Sequence, residues 1–223
     1  MVTTVSFSGM DGAGKSSQIS ELEAWLLQAG IRVQTVTFWD DIVVFRGLRE
    51  SMSHRIFKGD KGIGSPENPL IRRDKNVQAW PINCLRFLLY AADAASLALQ
   101  VFRLRRSGSE FIIFDRYIYD ELANLRLSHK IARIFVRSLL RFVPRPDYAF
   151  VIDAEPKAAF ARKPEYPLEF LHRNREAYRA LAAISGTITI LDPDSIPAIQ
   201  KKIRQQVLRE NRTQESSGVP VSQ

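Results

Sequence analysis

At 223 residues the chain can bury a sizeable core, and its 45% hydrophobic and 25% charged residues are those of a folded globular protein, which excludes a disordered or fibrous one. The formal charge of +8 suits anionic partners such as nucleotides without choosing among them, since the basic residues are dispersed along the chain. A lone cysteine, Cys84, excludes an internal disulfide and fits a reducing cytoplasm; no run approaches the ~20 uncharged apolar residues of a membrane span, and the N-terminus lacks a signal-peptide layout.

In chain order, residues 4–8 (TVSFS) read as a buried strand ending at Gly9. Ile19, Leu22, Trp25, Leu26 and Leu27 recur at helical spacing after Lys15, and Ala29-Gly30 stops that helix. Residues 32–39 (RVQTVTFW) predict a second strand, so the first ~40 residues form a βαβ unit with parallel strands. Residues 41–52 are predicted helical, and 58–68 (KGDKGIGSPEN) a mobile loop. A long helix follows from Pro81 to about Arg106, then a strand at 110–114 ending at Asp115-Arg116. A helix over roughly 120–142, a strand at 148–152, two helices separated by a short basic segment, a fifth strand at 187–191 and a helix at 197–209 complete the alternation. The expected fold is α/β, a single doubly wound five-stranded parallel sheet in one domain over 1–210, with 211–223 as a disordered tail.

Two segments carry chemistry. Gly9-Met10-Asp11-Gly12-Ala13-Gly14-Lys15-Ser16 fits the G-x-x-x-x-G-K-[ST] pattern and lies between a strand and a helix, the context that pattern requires. Backbone N–H groups from Gly9 through Ser17 would cradle the phosphates of ATP at a helix N-terminus, with Lys15 on the transferring oxygens and the Ser16 hydroxyl on Mg²⁺. In Phe111–Arg116 (FIIFDR) four apolar residues deliver Asp115 to the carboxyl end of a buried strand, where ligands bind in doubly wound sheets. Asp115 can hold a metal-bound water or accept a proton, and Arg116 can grip a phosphate with both of its forked nitrogens. A simpler reading has Asp115 cap the next helix and pair with Arg116. His54, His129 and His172 lack metal-ligand spacing.

These pieces, with LLYAADAASL (88–97), FIIFDRYIYD (111–120), PDYAFVIDAEPKAAFARK (146–163) and EFLHRNREAYRALA (169–182), resemble in order the thymidylate kinase-like nucleotide kinases, with the fold of P-loop nucleoside monophosphate kinases. The resemblance implies ATP- and Mg²⁺-dependent phosphorylation of a nucleoside monophosphate, dTMP first, in the cytoplasm, by a protein that can form a homodimer; the absence of an apolar span and of basic runs interleaved with aromatics makes neither a membrane nor nucleic acid an expected partner. It implies that Asp11 reaches the acceptor sugar, Tyr90 stacks on its base, Asp93 and Tyr117 line its pocket, and Arg116 holds its phosphate. Arg162, in a lid over about 155–172, would neutralise the transferring group. The chain departs from the family where Ala94 replaces an arginine that contacts the base, where Asp120 replaces a serine, and where Asn124-Leu125 replaces a Tyr-Gln pair. The lid, ARKPEYPLEF, is short and poor in arginine, and Arg46, Arg49, Arg72 and Arg73 are equal candidates for a further acceptor contact. These departures keep open another nucleotide, a nucleoside or a sugar metabolite as acceptor, and an ATP-binding regulatory or nucleic-acid-associated protein.

Overall fold

The computed structural model describes residues 2–45, 47, 49 and 80–216. Five strands, β1 (Thr3–Ser8), β2 (Val33–Thr37), β3 (Phe111–Asp115), β4 (Tyr148–Ile152) and β5 (Ile188–Leu191), form one sheet in the order β2-β3-β1-β4-β5, every pair parallel. Interleaved with them are helices α1 (Lys15–Gln28), α2 (Trp80–Leu104), α3 (Ile118–Leu122), α4 (Lys130–Phe142), α5 (Pro156–Arg162), α6 (Leu168–Ser185) and α7 (Ile196–Ser216). The expected doubly wound α/β sheet is the one observed.

The central strands β1, β3 and β4 are buried on both faces because helices cover both. Alternation along each strand sorts the core in two. Ile112 and Phe114 face α2, α3 and α4 with Leu97, Leu122 and Val136. Val5, Phe7, Ile113 and Phe150 face α1 and α7 with Leu22, Leu26, Ile199 and Ile203. Register carries the site: Phe7 of β1 lies beside Asp115 of β3, so the loop after β1 and the residues after β3 emerge together at the carboxyl edge.

The structure differs from expectation at several boundaries. The helix predicted over 120–142 is two, α3 and α4, because Asn124 turns its amide onto the Asp120 carbonyl and 123–129 leave the helical path. Where a helix is predicted over 41–52, a π-helical turn at Phe38–Ile42 ends before a non-helical stretch at 43–45, and residues 46, 48 and 50–52 lie outside the described residues. The final helix runs to Ser216, six residues into the stretch read as a tail, on a polar run of good helix formers such as Glu210, Arg212 and Gln214. The predicted loop at 58–68, His54, Arg46, Arg72, Arg73 and residues 217–223 lie outside the described residues.

One described helix, over Cys84–Leu104, is long and apolar enough to cross a membrane by length and composition. It packs on the sheet through Leu97 and Val101, and its fully buried Asp93 accepts from the Val44 amide and from Arg49 at 2.8 Å, so this face of the helix is core.

Candidate active site

The loop from Gly9 to Gly14 connects the end of β1 to the first turn of α1. Gly9, Gly12 and Gly14 all have positive φ (139°, 81° and 93°), a backbone that curls N–H groups inward and that side chains resist. Two of these glycines are also held by close approach. A Cβ on Gly9 would lie 2.5 Å from the Ile152 carbonyl oxygen, and one on Gly12 would lie 2.5 Å from that of Ala159 in α5. Gly12→Ala is therefore expected to force the loop off α5 and weaken ATP binding about tenfold or more, since left-handed strain costs an L-residue about 1–2 kcal/mol before any clash. A fluorescence titration with labelled ATP checks it.

Lys15 is buried, and its ammonium donates to the carbonyl oxygens of Gly9 (2.7 Å) and Met10 (2.9 Å), folded back along the loop that would receive phosphates. Burial lowers its pKa to about 8, with Arg116 adding repulsion and Asp11, Asp120 and Asp115 opposing the shift. The unfolded chain keeps this proton up to about 10.4. The group therefore costs the unliganded fold stability below pH 8, and that cost disappears as pH rises toward the unfolded value. Between those limits the folded loop loses its cation. Apparent ATP affinity is expected to fall as pH passes through 8, and calorimetry on Lys15→Arg, whose charge persists, should show a flat profile.

Beyond β3 the chain turns sharply. Arg116 has φ 72°, and its amide donates to the Phe7 carbonyl, so its side chain swings over the phosphate loop. There the guanidinium pairs with Asp11 on one side and with Asp120 (3.2 Å) on the other. Asp120 Oδ2 accepts from the Tyr117 amide at the start of α3, and Asp120 Oδ1 accepts the Tyr178 hydroxyl of α6 at 2.8 Å. Burial raises the pKa of that phenol, and Asp120 raises it further. The simpler reading of Asp115 as helix cap and partner of Arg116 is corrected: Asp120 performs both tasks. Asp115, half-buried at the strand end, makes no side-chain hydrogen bond or ion pair among the described residues. The sequence offered Asp120 only as a departure from a family pattern, and Tyr178, 58 positions away, gave no local signal.

Several predicted acceptor residues sit deeper than expected. Tyr117 is fully buried between Phe114 and Tyr119 and donates its hydroxyl to the Pro144 carbonyl at 2.6 Å, so it is a core residue and not a substrate contact. Side chains alternate direction after the turn at Arg116, and Tyr117 takes the inward one. Asp93 is spent on Val44 and Arg49. Of the four basic candidates only Arg49 is among the described residues, and it reaches the Leu89 carbonyl and Asp93 of α2. Tyr90 is 4% exposed, with its hydroxyl against Glu121 and Asn124, and a base can stack on it only where those partners yield. Ala94 is buried in the core.

On the remaining side, α5 and the chain to α6 fold down over the phosphate loop. Met10, Asp11 and Arg116 share a narrow cleft with Tyr166, Phe170 and Asn174. Arg162 is exposed at the C-terminus of α5, and Ser16 and Ser17 are exposed in the first turn of α1. The base of this flap is tied by Asp153, just past β4, which accepts Arg175 (2.8 Å) and Arg179 (2.9 Å) from α6, while Arg175 also reaches Glu155. Burial alone would raise the Asp153 pKa; the two arginine hydrogen bonds outweigh it and hold the carboxyl below its usual range. His129 and His172 are exposed, Cys84 is half-buried and free, and no group of three His, Cys, Asp or Glu gathers among the described residues.

No family model matches the chain. Curated relatives do. A probable thymidylate kinase of Methanosphaera stadtmanae is 25% identical over 90% of this chain and 95% of its own length. The thymidylate kinase of Prosthecochloris aestuarii is 29% identical, covering 92% of each. Among solved structures, a thymidylate kinase of Candida albicans shares the fold with a TM-score of 0.61 at 17% identity, over 95% of this chain and 92% of that one. These likenesses support a thymidylate kinase-like P-loop kinase. The strand order is that of the shared fold, and the loop after β1 and the Asp-Arg pair after β3 emerge together at its carboxyl edge.

Proposed function

We propose that the chain transfers the γ-phosphoryl group of ATP to dTMP, giving dTDP and ADP, in the cytoplasm. The observation that carries this reading is the meeting of Lys15, Asp11 and Arg116 at one sheet edge: a buried loop lysine held against the Gly9 and Met10 carbonyls, and beside it a cleft lined by Met10, Asp11 and an arginine suited to a second phosphate. An acceptor phosphate would take over the guanidinium that Asp11 now holds. Asp11 would then be free to accept from the acceptor's sugar hydroxyl. Catalysis of this kind is positioning and charge neutralisation. Lys15 and the exposed Arg162 are the cations for the transferred group, and the amides of Gly12 and Gly14 are donors for the phosphate chain, while that of Ala13 is held by the Met10 carbonyl at 3.2 Å.

The oxygen donors present suit Mg²⁺, a hard cation that keeps several waters and takes few protein ligands: the exposed Ser16 hydroxyl and the uncommitted Asp115 carboxylate. Bound there with ATP, the ion would neutralise charge on the phosphates. Acceptor assays with ATP·Mg²⁺ over a panel of nucleotides, nucleosides and sugars, read by phosphate transfer, test the proposal; dTMP should be turned over best.

A second acceptor remains a reading of its own because Ala94 is buried and Asp93 is closed off by Arg49, which leaves the pocket without the arginine that would read a thymine. Turnover of another acceptor with none of dTMP would select it. Salt-sensitive binding to nucleic acid with no acceptor-stimulated ATP use would instead select a regulatory protein.

Tyr178→Phe removes one hydrogen bond from Asp120 without removing the ring. It is expected to raise the acceptor KM about fivefold, as one such bond predicts, with the ATP KM unchanged in steady-state kinetics.

Homodimer formation fits the outer face of α2, where Leu88 (72% exposed), Leu99 and Phe102 lie on one side of the helix away from the sheet. Leu88→Arg should convert a dimer to a monomer, measured by light scattering.

A further inference from the structure

The residues 123–128, α4 and α6 enclose a cleft of about 510 Å³ that no step above uses. That is a size suited to a small-molecule ligand. Leu127, Ala177, Ala180 and Ile184 give it an apolar side, while Arg126, Arg133, Arg137 and Arg173 line it as exposed cations against a single carboxylate, Glu176. Past Arg137 a second hollow of about 230 Å³ adds Arg141 and Arg145. Among the described residues, Arg126, Arg133, Arg137, Arg141 and Arg145 form no ion pair and no side-chain hydrogen bond, whereas Arg116, Arg175 and Arg179 are all paired with carboxylates.

A solvated helix face ordinarily mixes both signs. Here α4, KIARIFVRSLLRF, has no acidic residue, and Arg133, Arg137 and Arg141 follow at intervals of four, an arrangement in which like charges repel along one face. An anion seated among them relieves that repulsion. Several closely spaced phosphates match a row of guanidinium forks better than one isolated charge does, and the apolar side gives a ring system somewhere to lie. The cleft also meets the catalytic one: Asn124, Phe170 and Asn174 line both. Helix α6, which forms one wall, also carries the Tyr178 that braces Asp120 and Arg116.

We propose that this cleft is a second binding site for a polyphosphorylated small molecule of the nucleoside triphosphate class, distinct from the phosphate loop, whose occupancy bears on Arg116 through α6. The test uses the full chain carrying Lys15→Ala, which silences the phosphate loop, titrated by calorimetry with ATP and, separately, with inorganic tripolyphosphate. A residual ATP site is expected, and adding Arg133→Glu and Arg137→Glu should weaken it at least tenfold. Binding of tripolyphosphate at the same site identifies the phosphate chain as the recognised group; ATP binding without it assigns the apolar side the larger share and leaves the site in place. The same two substitutions on the unaltered Lys15 background should leave the ATP KM unchanged. Should the glutamate pair fail to fold, Arg133→Gln with Arg137→Gln gives the same reading with less repulsion. No residual ATP binding, or residual binding indifferent to both arginines, overturns the site. So does arginine-dependent binding of a single-stranded oligonucleotide with none of ATP, which would make the row a nucleic-acid track.

Discussion

Lys15→Ala should lower acceptor-stimulated ADP release by about 10³-fold or more while far-UV circular dichroism and the unfolding midpoint stay near those of the parent. The loss is large because Lys15 is the only cation that α1 delivers into the phosphate loop. Its ammonium already lies against the Gly9 and Met10 carbonyls, so phosphates entering the loop would meet a charge in place. The fold survives because the ammonium is a burden to the empty protein. Its pKa is pressed down to about 8, largely by burial, so the charged form is disfavoured in the empty fold. Removing the residue therefore separates function from stability. A variant that folds well and turns over normally would remove Lys15 from the phosphoryl-transfer step.

What could be read from the sequence divides by the range over which each feature is specified. The phosphate loop is local: its glycines, Lys15 and Ser16 are adjacent, and the apolar runs on either side fix it between a strand and a helix. The strand FIIFD is equally legible, since four buried residues followed by Asp115 admit no alternation that would expose one face. Parallel order and the site's edge follow from the βαβ pattern. The partnerships of Arg116 do not follow. Asp11 is 105 positions away and meets Arg116 only through the β1–β3 register, and Tyr178, 58 beyond Asp120, only through the packing of α6 against α3. Asp153 with Arg175 and Arg179 is hidden for the same reason, although the spacing of four between those arginines does put both on one helix face. Tyr117, which the resemblance assigns to the acceptor pocket, lies in the core instead. One residue of extended chain after a left-handed turn is enough to send the next side chain into the core.

Arg116→Ala is expected to cost acceptor affinity about 10- to 150-fold, the range of one charge-assisted phosphate contact of about 1.5–3 kcal/mol, and more again in kcat if the contact tightens during transfer. Two consequences distinguish this from a simple loss of packing. The substitution leaves Asp11 and Asp120 on either side of an empty space, two carboxylates with no cation between them, so the unliganded variant should also unfold at lower temperature than the parent, and acid should partly restore it by protonating one of them. Arg116 is also one of the groups that lower the Lys15 pKa, while both carboxylates raise it. Deleting it should move the midpoint of the pH-dependent loss of ATP affinity upward from about 8. Arg116→Lys keeps the charge but lacks the fork, so it can satisfy Asp11 or Asp120 but not both. That variant should recover the thermal midpoint and the Lys15 titration while leaving the acceptor KM raised. If instead it restores the acceptor KM fully, the two-sided grip on the guanidinium has no bearing on acceptor binding, and Arg116 acts there only as a point charge.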